Sequence, residues 1–330
     1  MFTKLPIILA LVLYVLIYFL RFQQAVPAGR QGGWDLKIDI FENQRKVLDQ
    51  RISQLLPSPQ AELLSGILLG QNKNLPGRLK LALRDTSTLH IVVASGQNLS
   101  MVAGFFLGLS GLIKRRNALI LSLLASLGYT LLSGMQVPIL RAAIMFSFAS
   151  LAQFFGRARD GFWALLFTGC LMLLINPDWI SNLSFQLSFL ATFGVIVISP
   201  ILLRWLNYLP ILGGDLAVTL AAQIMVTPII VQNFHQLSLV SLITNVLVLW
   251  TIPFIMILGS IMILLGSIFA LATNVILTYF IYIVQFFASL PFAWEYVGEQ
   301  IWIVWLGYYM VLAAVMVLFN NAKYEDFRRP

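Results

Sequence analysis

The sequence predicts an all-α polytopic integral membrane protein with about ten or eleven transmembrane helices, some of them broken or re-entrant. Three observations predict it. Hydrophobic residues make up 59% of the 330 and charged residues only 10%, whereas a soluble domain carries about 25% charged residues. Apolar runs of roughly 15–20 residues, close to the length that crosses a bilayer, recur along the whole chain. The short alternating segments of a membrane β-barrel do not occur in it. The single cysteine, Cys170, lies in an apolar run, which leaves no partner for an intrachain disulfide and no cysteine cluster for a metal.

Taken in order, residues 1–20 hold the first transmembrane helix, LPIILALVLYVLIYFL (5–20). No small-residue cleavage site follows closely, so the run reads as a retained span and not as a removed signal. Residues 21–89 form a polar segment with amphipathic surface helices. In FENQRKVLDQRISQLL (41–56), Phe41, Val47, Leu48, Ile52, Leu55 and Leu56 recur at helical spacing, the pattern of a helix lying on the membrane. Pro57 and Pro59 end it. AELLSGILLG (61–70) is too short to span. LPGRLKLALRD (75–85) reads as a second short surface helix with Pro76 near its start. Residues 90–320 form the main transmembrane domain, with spans near 90–112, 117–135, 138–156, 161–176, 183–204, 211–232, 237–252, 254–270, 272–290 and 300–319. Pro253, Gly259 and Gly266 interrupt the region 237–290, where a re-entrant piece is expected. Residues 321–330 are a polar tail.

Basic residues orient the chain. The short loops containing Lys114, Arg115 and Arg116 and, further on, Arg157 and Arg159 have the same parity and are both basic, which places them in the cytoplasm. Residues 21–89 then lie outside. That segment carries ten basic residues against Asp35, Asp39, Glu42, Asp49, Glu62 and Asp85. A positive external segment either is long enough to escape the charge rule or faces a polyanion. Lys73, Arg78, Lys80 and Arg84 cluster just before the second span and form a candidate surface for gathering one.

Polar residues inside the spans are the next signal. HIVVASGQNLSMVAGFFLGLSG (90–111) is apolar enough for a membrane, yet Ser95, Gly96, Gln97, Asn98 and Ser100 fall together near its start. Gly96, Ser100, Gly104 and Gly108 recur at every fourth position and predict a helix-packing ridge of small side chains. Unpaired amides cost several kcal/mol in hydrocarbon, so Gln97 and Asn98 must face protein or water. Gly96 permits the helix to break there, as in transporter helices interrupted at a binding site. Ser184, Ser188 and Thr192 share a helix face, with Gln186 nearby. Thr219, Gln223 and Thr227 share another, and Ser238, Ser241 and Asn245 a third. These stripes suggest a wet path between helices, with Ser95, Gln97, Asn98, Arg141, Gln186, Ser188, Gln223 and Asn245 as candidate lining residues. Arg141, in VPILRAAIM, keeps its charge and either snorkels to the interface or attracts a phosphate or carboxylate. His235, at a span end, reads as a hydrogen-bonded structural residue.

No enzyme motif is found. His90 and His235 form no metal-ligand pattern, and no Walker A sequence or paired Gly-rich phosphate loop occurs. The sequence predicts neither catalytic residues nor metal nor cofactor.

Four segments, in order along the chain, resemble one family. TLHIVVASGQNLSMV (88–102) is similar to the H-L-x-A-x-S-G-x-H segment of the ComEC-type competence membrane domain. PILRAAIM (138–145) resembles its R-A-x-x-M segment. INPDWISNLSFQLSFLATFG (175–194) resembles its N-P … F-Q-L-S-F segment, and QIMVTPIIVQNFHQLSLVSLITNVLVLWTIP (223–253) its Q-x-x-x-x-P … F-H-x-x-S … N … P pattern. The resemblance implies a multi-pass channel in the bacterial cytoplasmic membrane that passes single-stranded DNA during natural transformation. It also implies membrane lipids, a separate nuclease and a separate uptake motor as partners. Asn98 stands where the family has its second histidine. Residues 21–60 are too short for the oligonucleotide-binding-type domain of longer members, and no H-x-H-x-D-H motif of a metallo-β-lactamase-like domain occurs, so the expectation is the competence membrane module alone. A transporter of a small solute or lipid-linked substrate, or a membrane scaffold of an uptake complex, would show the same architecture. External basicity favours a polyanion over a neutral solute.

Overall fold

The computed structural model describes residues 14–15, 17–18, 41–71, 74–92, 95–157, 160–206, 208, 213–298, 300 and 302–326, without the side chains of 302 and 317–326. The first span expected over 5–20 lies almost wholly outside them. The described chain is helical nearly throughout. Packing divides it into two compact units that cut across the linear segments read from the sequence: residues 1–75, 90–189 and 253–277 form the first, and 76–89, 190–252 and 278–330 the second.

The first unit begins with the expected amphipathic helix, α1 (Glu42–Leu55), which buries Ile52 and Arg45 and leaves Val47 62% exposed. Helix α2 (Gln60–Leu69), the run read as too short to span, lies in the core of this unit. Its residues from Leu63 to Leu69 are all buried. A helix apolar on every side belongs in a core and not on a surface. Two glycines permit the fit. A Cβ on Gly66 would lie 2.7 Å from Val92 Cγ1, and one on Gly259 would lie 2.6 Å from Leu64 Cδ1. Helices α5 (Gly96–Gly108), α6 (Arg115–Leu132), α7 (Val137–Phe154) and α8 (Gly161–Ile175) follow, after the single-turn α4 (Leu89–Val92). The connection from α6 to α7 is short, which makes them antiparallel neighbours. Met172, Trp179 and Phe185 form a buried cluster, and the Phe185 and Phe189 rings stand 4.2 Å apart.

Helix α9 (Leu183–Val197) leads to α10 (Ser199–Leu206) through a 50° bend. In the second unit, α3 (Gly77–Asp85) starts after the extended Pro76, as read from the sequence. Helix α11 (Gly213–Phe234) packs Ala221 and Met225 against Ile198. Gly194 lies against this seam: an added Cβ would come within 2.5 Å of the Ala221 carbonyl oxygen and 2.7 Å of Met225 Cγ. Overpacking of this kind costs about 1–3 kcal/mol. Gly194→Leu should therefore lower the thermal midpoint of the purified protein in detergent. An unchanged midpoint would show that the seam is loose.

The expected span at 237–252 is corrected. His235 turns out of α11 at φ 55, and Gln236–Ser238 extends as β1, antiparallel to β2 (Trp294–Tyr296), with Leu237 opposite Glu295. Ser238 therefore shares no helix face with Ser241 and Asn245, which belong to α12 (Ser241–Leu249). Helix α13 (Thr251–Leu265) leaves α12 at 42°, and α14 (Ala270–Ala288) and α15 (Trp302–Asp326) complete the order.

Among the described residues, three helical stretches are long and apolar enough to cross a membrane: Val137–Phe154, Gly213–Phe234 and Ser267–Ala288. The number rises to five if each bent pair is one span. Other apolar runs become shorter helices, such as Gly161–Ile175 and Ile303–Met316. Their exteriors are apolar too. Leu124 is 61% exposed, Phe167 56%, Leu264 76% and Ile268 81%. Apolar surface on this scale demands a hydrocarbon neighbour, and the chain is a multi-pass membrane protein.

The exposed Val47 and Arg115 serve as topology reporters. With Cys170 replaced by serine, Val47→Cys should react with an impermeant thiol reagent on intact cells, and Arg115→Cys only after permeabilisation. The reverse pattern would invert the orientation read from the basic loops.

Candidate functional site

The apolar run that begins at His90 is not one helix. α4 stops at Val92 and α5 starts at Gly96. Between them Ser95 is extended (φ −113, ψ 161), and its hydroxyl oxygen accepts from the Asn98 backbone N–H at 3.4 Å. A serine N-cap satisfies one of the donors that a helix start leaves free. The Ser-Gly-Gln-Asn stretch is thus a helix start inside an apolar segment.

Asn98 is 1% exposed. Its side-chain nitrogen donates to the Ile67 carbonyl at 3.1 Å, and its side-chain oxygen accepts from the Ser95 hydroxyl at 3.1 Å. The Tyr129 hydroxyl donates to the same Ile67 carbonyl at 3.2 Å. Gln136 Nε2 donates to the Gly70 carbonyl at 2.9 Å. These are the terminal carbonyls of α2, which intrahelical bonding leaves open. The chain reverses there through Gly70 at φ 72. Asn98 is thus bonded inside the protein and not open to a cavity among the described residues. It is a staple between α5 and α2, because its bonding capacity is spent inside the protein. Gln97, one residue away, is exposed.

Arg141 comes from α7 to the start of α5. Its Nε donates to the Ser188 hydroxyl of α9 at 2.6 Å, and Nη1 lies 3.3 Å from Met145 Sδ. Nη2 lies over Gly96, where a Cβ would approach within 3.0 Å of it and of Ala142 Cβ. So Gly96 is the residue of the small ridge that packs, and it makes room for a guanidinium. No described carboxylate pairs with Arg141. A cation in a low-dielectric bundle without a counter-ion is costly. It offers several N–H donors to an anion. The partial positive charge of the α5 N-terminus points the same way.

The remaining expected residues divide. Ser95 and Ser188 stand in this cluster. Gln186 does not: its side chain donates to the Ile180 carbonyl at 2.8 Å and closes the turn before α9. Gln223 and Asn245 belong to the second unit, where Asn245 is 5% exposed and its side-chain oxygen has no partner among the described residues. Of the small ridge, Gly96 alone makes a close approach among the described residues. Gly104 and Gly108 face open space among the described residues, and the exposed Ser100 hydroxyl bonds back to the Gly96 carbonyl. Lys73 lies outside the described residues. Arg78, Lys80 and Arg84 are exposed on α3, though Arg84 pairs with Asp85 at 3.3 Å. Two further asparagines escaped the sequence reading. Asn176 and Asn182 cap the turn Pro177–Ser181 and helix α9, through bonds to the backbone of Asp178 and of Ser184 and Phe185. Asparagine just before a helical run was the available signal.

ComE operon protein 3 of Bacillus subtilis (strain 168) is 29% identical over 215 residues, covering 64% of this chain and 26% of its own. The uncharacterized protein YcaI of Escherichia coli (strain K12) is 26% identical over 221 residues, covering 61% of this chain and 28% of its own. An uncharacterized protein of Aquifex aeolicus (strain VF5) is 29% identical over 169 residues, covering 50% and 40% respectively. The chain thus spans well under half the length of these relatives. No solved structure matches it. The family model described as Competence protein matches residues 67–321. That range holds the capped break at Ser95, the Arg141–Ser188 contact and both bent helix pairs, and the chain belongs to the competence protein family.

Proposed function

We propose that the chain serves DNA uptake in competence, as a channel in the bacterial cytoplasmic membrane that passes a single strand. The observation that carries this reading is Arg141, a guanidinium inside the bundle with a hydroxyl partner in Ser188 and no described carboxylate. A strand brings one phosphate per nucleotide. Each can take the N–H donors that Arg141 keeps free and the field of the α5 N-terminus. A single neutralising contact holds a phosphate in passing without trapping the polymer, since many phosphates compete for it. The family membership and the relative named for the ComE operon support the reading. Membrane lipids surround the channel, and a separate nuclease and uptake motor would complete the process.

Deletion of the gene, followed by transformation with labelled DNA, tests the proposal. Loss of internalised label with surface binding retained is expected; undiminished internalisation would refute it. The basic face of α3 is tested in purified protein. Neutralising Arg78, Lys80 and Arg84 together should weaken binding of single-stranded DNA and reduce its salt slope, by about 0.7 for each phosphate the protein no longer neutralises. An unchanged slope would assign these side chains to lipid headgroups.

A further inference from the structure

A second basic site lies in the first unit, where the start of α6 meets the end of α7. A cavity of about 540 Å³ is lined by Arg115, Arg116, Leu119, Gln153, Phe154, Gly156 and Arg157. The fold creates it simply. Antiparallel α6 and α7 bring Arg115 and Arg116, in the first turn of one, beside Arg157, just past the last turn of the other. Three guanidiniums therefore share one cavity, and no described carboxylate pairs with any of them. Asp160 is engaged elsewhere, accepting from the backbone N–H groups of Phe162 and Trp163. Arg116 is held with its guanidinium carbon 4.6 Å from the centre of the Phe154 ring. Three guanidiniums gathered at one cavity, with no described carboxylate among them, form a site that an anion would complete.

We infer that this cavity binds the headgroup phosphate of an anionic phospholipid. Depth identifies the occupant. Helix α7 has 18 residues and is apolar enough to cross a membrane. At about 1.5 Å per residue its end reaches the interface of a hydrocarbon layer about 30 Å thick. Exposed aromatic side chains stand close in the chain to the lining residues: Phe155, between Phe154 and Gly156, is 68% exposed, and Phe162 and Trp163, at the start of α8, are 44% and 52% exposed. Such side chains settle at headgroup depth. A phosphate beside them has acyl chains below it to cover the exposed Phe155, which a nucleic-acid strand has not.

The test uses the full chain in bilayer nanodiscs of phosphatidylcholine, with and without phosphatidylglycerol. Phosphatidylglycerol should raise the thermal midpoint, and native mass spectrometry should find it retained after delipidation. In Arg115→Gln/Arg116→Gln/Arg157→Gln both effects should vanish. Arg157→Gln alone, beyond the helix end, keeps the test readable if the triple variant folds poorly. It should weaken retention by about tenfold or more, the scale of one charge-assisted hydrogen bond. Lys80→Gln/Arg84→Gln should change neither readout. Retention unaffected by the arginine changes would overturn the inference. So would stabilisation by a single-stranded oligonucleotide in pure phosphatidylcholine that the triple variant loses, since that would make the cavity a nucleic-acid site.

Discussion

Arg141→Met should abolish internalisation of labelled DNA, by at least about tenfold, while abundance and thermal midpoint stay near those of the parent. The scale is that of one hydrogen bond to a charged group, about 1.5–3 kcal/mol. The midpoint should hold because methionine keeps the apolar stem and removes a cation with no described counter-ion; exchanging a buried charge for an apolar side chain is often neutral or stabilising. The Ser188 hydroxyl and the Met145 sulfur lose a charged partner; the sulfur is a weak acceptor, and the hydroxyl can bond back to its own backbone in a helix. Arg141→Lys should recover part of the uptake, since the charge remains but the Nε bond to Ser188 and the planar fork do not. Gly96→Val supplies an independent check. Its Cβ would press on Arg141 Nη2 and Ala142, so uptake should fall even with the guanidinium present. If Arg141→Met transforms normally, the strand does not pass this arginine.

The arginine was visible in the sequence as an intramembrane charge, and so was the helix break beside it, announced by Ser-Gly-Gln-Asn in an apolar run. The pairing of Arg141 with Ser188, 47 positions away, was not. Helical periodicity reports faces within one helix and gives no contact between helices. The same limit explains Asn98. An amide in a span must find partners, and the sequence could state that demand without saying whether water, ligand or backbone would meet it. The answer lay in α2, whose terminal carbonyls need capping only because the helix is short and buried. The strand Gln236–Ser238 was illegible for a related reason. QLSLVSLITNVLVLW is apolar enough to be read as one span, and a pairing with Trp294–Tyr296, far along the chain, leaves no local signal. Caps were the reverse case. Asn176 and Asn182 act on backbone two or three residues away, and a closer reading of local chemistry would have found them.

Asn98→Leu should lose uptake through lost protein, with abundance and thermal midpoint falling together, whereas Gln97→Leu should leave both unchanged. The contrast rests on burial, since Asn98 is 1% exposed and Gln97 lies at the surface. The decisive measurement is a double-mutant cycle with Tyr129→Phe. The Ile67 carbonyl accepts from both Asn98 and Tyr129, and no intrahelical bond serves it, because the Gln71 N–H turns instead to the Ser65 carbonyl at 3.4 Å. Either single change leaves this carbonyl one partner and should cost about 0.6–1.7 kcal/mol, the range for hydrogen bonds between membrane helices. The double change leaves it none in a buried site. It should exceed the sum of the singles by about a further 1 kcal/mol, since an orphaned buried acceptor bears its full desolvation penalty. Strict additivity would mean that water reaches Ile67. In that case the α2–α5 junction would be wet, and Asn98 would be open to a transport path.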